Sequence, residues 1–153
     1  MSAADAPLLR EVEREDEVLA LFPLMAQLRP HLASAEEFLQ RWRRQSAEGY
    51  RLVALYREDA DGDLQPEALA GYRVQENLVH GRFLYLDDLV TDQRLRSRGH
   101  GERLIRHLRE LAPRLGCGKL VLDTPLSNAL GQRFYFRMGL LASALRFNQP
   151  LPA

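Results

Sequence analysis

Apolar positions recur along this chain in two rhythms, one of period two and one near 3.6, and their order predicts strands alternating with helices. Leu8–Val12 reads as a short first strand. Beyond the acidic run Glu13–Glu17, Leu19, Phe22, Met25 and Ala26 fall on one helical face. Pro23 inside that stretch predicts a kink or a late helix start, and Pro30 closes it. Ser34-Ala35-Glu36-Glu37 fits a capping box, in which Ser34 and Glu37 satisfy each other's free backbone N–H groups. The helix that follows sets Phe38, Leu39 and Trp42 on its core side, which assigns Trp42 to packing, and it stops at Gly49.

Tyr50–Tyr56 and Ala68–Val74 read as strands, joined by a turn-rich stretch, Arg57–Glu67, around Asp61-Gly62-Asp63. A second loop, Gln75–Gly81, leads to the longest strand, Phe83–Val90. Gly99 and Gly101 precede a helix with the apolar stripe Leu104, Ile105, Leu108, Leu111, Ala112 and Leu115. Arg103, Arg106 and Arg109 face outward from it, as does His107. Lys119–Asp123 is a short buried strand. A last helix covers about Asn128 to Met138, with Gly139 as its left-handed cap. Leu140–Phe147 is apolar enough for a final strand or hairpin. Without repeat or linker, residues 1–153 read as one α/β domain.

Composition narrows the picture. With 153 residues, 46% hydrophobic and 27% charged, the chain suits a single globular domain and not a disordered or fibrous protein. No apolar run approaches the ~18–20 residues of a membrane span, and Met1–Asp5 lacks the pattern of a secretory signal. The lone cysteine, Cys117, has no partner for a disulfide, which fits a reducing, cytoplasmic setting. It lies in a Gly-Cys-Gly turn without a neighbouring base, which argues against a nucleophile. His31, His80 and His107 lack metal-ligand spacing, so no metal is expected.

The net charge of zero conceals a split: residues 1–76 carry a balance of −6 and residues 77–153 one of +6. Six arginines against one acid, Glu102, occupy Arg94–Arg109. Such an excess points to an anionic ligand or to a solvated helix face. Without a basic face interleaved with aromatics, nucleic acid is not the expected partner.

The chemistry concentrates in Leu86-Asp87-Asp88-Leu89-Val90-Thr91 and the segment Arg94 to Leu104 that follows. A strand there gives way to a glycine-bearing loop and a helix N-terminus, whose free N–H groups and partial positive charge suit a phosphate. Gly99 and Gly101 allow close backbone approach, and Arg96 and Arg98 can add charge-assisted bonds. A P-loop is excluded, since no Gly-Lys-Ser/Thr is present, and two glycines fall short of a dinucleotide fingerprint.

Arg96-Ser97-Arg98-Gly99-His100-Gly101 resembles the Arg/Gln-x-x-Gly-x-Gly/Ala signature of the GCN5-related N-acetyltransferase (GNAT) superfamily. The acidic strand before it, the helix and strand after it, and Asn128 through Phe134-Tyr135-Phe136-Arg137-Met138-Gly139-Leu140 agree in order. Phe136 stands where an acidic residue is common and Leu140 where an aromatic is common. The resemblance implies an α/β (α+β) GNAT-like fold: a mixed, mostly antiparallel twisted sheet, flanked by about four helices and splayed between its two central strands.

It also implies acetyl-CoA as co-substrate, held by strand residues Leu89, Val90 and Thr91, by backbone N–H groups of Arg98, Gly99, His100, Gly101 and Glu102, and by Arg96. For His100 the backbone, not the ring, is the expected contributor. A strand N–H near Leu89 or Val90 would stabilise the developing oxyanion. Tyr135 matches the family's proton donor to the departing thiolate; Asp87 and Asp88 stand where its base is usual. Alternation along a strand predicts that one of the two reaches the cleft; the resemblance prefers Asp87, which aligns better with the family's usual base position, unless a bulge reverses the facing. Asn128 fits a helix N-cap and a contact to the coenzyme arm equally.

The function expected is acetyl transfer to a primary amine, on a small molecule or a peptide, by direct attack. The resemblance places acceptor specificity in the bend Arg29–Leu32, the loop Gln75–Gly81 and the C-terminal residues, and it makes a homodimer an expectation. The competing class is a non-catalytic acyl-CoA-binding or regulatory module of the same fold.

Overall fold

The computed structural model describes residues 6–153, and the signal-peptide reading of Met1–Asp5 lies outside the described residues. Four strands form consecutive antiparallel pairs: β1 (Leu8–Val12), β2 (Arg51–Glu58), β3 (Leu64–Asn77) and β4 (Gly81–Thr91). β5 (Lys119–Leu122) completes a five-stranded sheet in the order β1-β2-β3-β4-β5. It follows β4 through a helical crossover, and Gly118 N–H bonds the carbonyl of Arg82 at 2.9 Å, so both strands start at the same level and run parallel. The sheet is therefore mixed. The strand Lys119–Asp123, expected to be buried, is in fact only half-buried at most of its length.

β3 and β4 are longer than their hydrophobic patterns predict, because a tight turn at residues 78–80 replaces the expected loop Gln75–Gly81. The side chain of Asn77 closes this turn by accepting the His80 N–H at 2.8 Å. Likewise Asp59 accepts N–H bonds from Asp61 and Asp63, shortening the β2–β3 connection to five residues, 59–63.

Helix α1 (Glu15–Leu28) starts well before Pro23 and continues through it, correcting the expected late start. Its entry is closed by Glu17 Oε1, which accepts the N–H groups of Glu13 and Arg14. In α2 (Ala35–Ala47) the capping box forms in altered shape. Ser34 Oγ accepts the Glu37 N–H at 3.1 Å, but the Glu37 carboxylate takes the N–H of Ala33. α1 and α2 pack one face of the sheet, joining Leu21, Leu24, Met25, Phe38 and Leu39 to Leu52, Ala54, Tyr56 and Leu69. The alternate side chains Val53, Leu55, Ala68 and Ala70 are equally inaccessible, and on that face α3 (His100–Arg114) packs against β3 and β4 through Leu104, Ile105 and Leu108.

The chain forms two compact units, one ending at Val121 and one spanning Leu122–Ala153. The second holds α4 (Ala129–Arg137), capped by Asn128, whose Oδ1 accepts the Gly131 N–H at 3.0 Å. The strand or hairpin expected over Leu140–Phe147 does not form: residues 140–153 carry no regular structure, and Leu141 and Phe147 are exposed. Apolar composition alone does not make a strand where no neighbouring strand supplies the ladder.

Candidate active site

In the middle of β4 the register slips. Asp88 faces Gly71 of β3 while Leu86 faces Tyr72, so Asp87 is the extra residue of a β-bulge. The bulge lifts the strict alternation on which a single cleft-facing aspartate of the two was expected. Both line a pocket of about 350 Å³, together with Arg29, Gln45, Tyr50 and Tyr85.

Each carboxylate is held by groups distant in sequence. Asp88 Oδ1 accepts from Arg29 Nε at 2.9 Å, and Asp88 Oδ2 accepts from the Tyr50 hydroxyl at 2.5 Å. Arg29 also donates at 2.9 Å to the backbone carbonyl of Asp87, the bulged residue. Arg73 Nε lies 3.0 and 3.1 Å from the two oxygens of Asp87 and its terminal nitrogen donates to Gln45. Burial raises the Asp87 carboxyl above its ordinary value despite the opposing Arg73. The Tyr50 phenol is pushed well up by burial and by the charge of Asp88, so it remains a donor.

Gly71 makes this packing possible. A Cβ there would stand 2.1 Å from the Tyr50 hydroxyl and 2.7 Å from Asp88 Oδ2. α2 lines the pocket with Phe38, Arg41, Trp42 and Gln45, successive positions of one helical face. Trp42 and Phe38 thus serve the core and the pocket together, correcting the assignment of Trp42 to packing alone. Of the expected specificity segments, the bend contributes Arg29, His31 and Leu32, while no residue of 75–81 lines this pocket.

The remaining half of β4 presents an unpaired edge. Leu89, Val90 and Thr91 pair with Ala70, Leu69 and Ala68 of β3 on one side. On the other, β5 starts beside Arg82 and spans four residues, so it ends before reaching them. Next comes the loop to α3, whose backbone takes the left-handed conformation at Ser97 and Gly99, with φ of 66° and 81°. A Cβ on Gly99 would meet nothing within 4 Å, so the space before the helix N-terminus is open. Arg96 and Arg98 are exposed there, whereas Arg94 is tied to Asp92 at 2.7 Å. Gly101 and Glu102 fall in the first turn of α3, and Glu102 pairs with Arg106 at 2.8 Å. The ring of His100 is buried and bonded to Glu67. His107 is half-buried near Glu11 rather than exposed, and Arg103 donates to the carbonyl of Pro7.

In the C-terminal unit, Tyr135 lies on α4 with its ring edge-on to Phe134, and burial raises its phenol above the ordinary value. Asn128 performs the capping role and also donates to Thr124 Oγ1 at 3.0 Å. No helix among the described residues is long and apolar enough to cross a membrane.

A mixed sheet with a mid-strand bulge and a glycine loop before a helix frames the candidate site. The profile of the Acetyltransferase (GNAT) family matches residues 13–140, and the chain belongs to that family as a GNAT-type N-acetyltransferase. It is 30% identical over 145 residues to an uncharacterized N-acetyltransferase, YhdJ, of Bacillus subtilis, covering 94% of this chain and 98% of that protein. It is 32% identical over 123 residues to glucosamine 6-phosphate N-acetyltransferase 1 of rice, Oryza sativa subsp. japonica, covering 78% and 73% of the two chains. In fold it is similar to aminoglycoside N-acetyltransferase AAC(6')-Iy, solved in complex with CoA. The TM-score is 0.78 with 17% identity over 95% of each chain.

Proposed function

We propose that this chain transfers the acetyl group of acetyl-CoA to a primary amine on a small molecule, acting as one catalytic domain over residues 1–153. The observation that carries this reading is the bulge at Asp87, which turns two consecutive carboxylates into one pocket next to the unpaired edge of β4.

The residues present fit the coenzyme. Backbone groups of Leu89, Val90 and Thr91 on the open edge suit an extended amide-bearing arm. The N–H groups of Arg98, Gly99, His100, Gly101 and Glu102, with the side chains of Arg96 and Arg98, suit a diphosphate, and open space at Gly99 supports close approach. Acetyl-CoA, when bound, supplies an activated thioester.

The protein's own groups then manage protons and charge. Asp87, raised by burial, accepts a proton from the incoming ammonium, directly or through water. Asp88, gripped by Arg29 and Tyr50, fixes the pocket wall. A strand N–H near Leu89 or Val90 stabilises developing oxyanion charge. Tyr135 keeps its proton at neutral pH and donates it to the leaving sulfur. Phe38, Trp42 and Tyr85 offer flat apolar walls to the body of the acceptor.

The test is thiol release from acetyl-CoA over a panel of amines, headed by glucosamine 6-phosphate because the rice relative bears that name. Acceptor-stimulated release is expected, falling by about 10²–10⁴ in Asp87→Asn, the usual worth of a general base. Tyr135→Phe is expected to lower turnover far more than coenzyme affinity. Acetyl-CoA binding without acceptor-stimulated release from any amine would leave a non-catalytic acyl-CoA-binding module.

A further inference from the structure

Glu67 closes the loop between β4 and α3 at both ends. Its backbone carbonyl accepts the N–H of Asp92 at 2.8 Å, where the chain leaves β4. Its side-chain Oε2 lies 2.6 Å from Nε2 of His100, the first residue of α3. Its other oxygen, Oε1, accepts from Arg57 Nε of β2 at 2.7 Å. A line of charge-assisted bonds thus runs from β2 through β3 to the helix start, with His100 and Glu67 nearly inaccessible at 5% and 6% exposure.

The residues between these two anchors are unlike their surroundings. Residues 93–99 lie mostly at the surface, and both Ser97 and Gly99 have positive φ. A non-glycine residue in that region is strained and persists where neighbouring structure over-determines it. The Glu67 anchors supply that constraint. Burial works against the charge of Glu67, yet the hydrogen bonds from His100 and Arg57 outweigh it and hold its carboxyl below the ordinary value. The bond to Glu67 is the hydrogen bond that the His100 ring makes among the described residues. An apolar pair would fill the same space at little cost in stability, so a buried polar pair here fixes geometry more than it adds stability.

We propose that Glu67 and His100 are positioning residues for the coenzyme. Together they hold residues 92–100 in a preset cradle, so that the first N–H groups of α3 meet a diphosphate already aligned. This rests on the acetyl-CoA reading above. The pair touches neither acceptor nor reacting atoms, and its loss falls on coenzyme affinity.

Calorimetric titration with CoA and hydrogen exchange of the coenzyme-free protein test the proposal on His100→Leu, His100→Gln, Glu67→Gln and the double variant H100L/E67L. In His100→Leu the Kd for CoA should rise by about tenfold or more, the equivalent of one charge-assisted hydrogen bond. KM for acetyl-CoA should rise far more than kcat falls, and the amides at the start of α3 should exchange faster. His100→Gln keeps an N–H donor toward Glu67 and should retain most of the affinity. In H100L/E67L the two apolar side chains should restore thermal stability without restoring affinity, which separates positioning from mere support of the fold. Wild-type affinity and exchange in folded His100→Leu would overturn the proposal. Failure of the wild-type protein to bind CoA would instead overturn the coenzyme assignment itself.

Discussion

Gly71 is the residue on which the pocket most directly depends. Its missing side chain leaves room for the Tyr50 hydroxyl to reach Asp88, and a methyl group would stand 2.1 Å from that oxygen. Gly71→Ala should lower stability by about 1–3 kcal/mol, as overpacking does. It should also depress turnover, because Tyr50 must leave Asp88; urea unfolding and thiol-release assays check the two effects. Asp87 yields a second expectation. Its carboxyl is raised in the folded protein, so it retains its proton to a higher pH than in the unfolded chain. Stability from this group therefore falls as pH rises through the window above its ordinary value, while activity rises over the same window as the base is freed. The kcat/KM profile should show an acidic limb placed above the ordinary value of an aspartate and absent from the residual activity of Asp87→Asn.

At the scale of elements, the bulge couples β4 to the end of α1. One extra residue accompanies the turning of both carboxylates to the pocket. Arg29, immediately after α1, bonds the Asp87 carbonyl and Asp88 together. Arg29→Leu should therefore lower kcat by about tenfold or more, as expected for a lost charge-assisted bond. Acetyl-CoA binding, on the far half of β4, should change little. Steady-state kinetics with each substrate varied in turn distinguish these outcomes. α2 shows a different economy: one face carries Phe38 and Trp42 into the core and into the pocket wall, so a pattern read from hydrophobicity alone assigns them to packing. The loop 92–100 follows the same logic, since its shape is held by Glu67 of β3, far from the motif that marks it.

Over the whole molecule, part of the positive excess of the second half is local. The exposed arginines at 96 and 98 stand before the α3 N-terminus, while Arg94 is already neutralised by Asp92. Coenzyme affinity should weaken as salt rises from about 0.05 to about 0.5 M, over which the screening length shortens several-fold. Arg96→Ala or Arg98→Ala should flatten that dependence, measured as the slope of Kd for CoA against ionic strength. What the sequence by itself determined are the features written in nearby residues. Periodicity marked β1, α2 and the amphipathic α3, Asn128 and Gly139 marked the ends of α4, and the glycine loop after an acidic strand marked the segment proposed to hold the coenzyme. Only the tertiary structure decided which way Asp87 points, because the face of a strand residue depends on register with its neighbour and a single slip reverses it. It also decided the partners of the two aspartates, Arg29, Tyr50 and Arg73, and of His100, all contributed by distant elements. Such contacts arise from packing between elements and leave no periodic trace, so no local pattern announces them. The tail after Leu140 makes the converse point: its residues are apolar enough for a strand, but a strand is defined by its neighbour's backbone and not by its own composition.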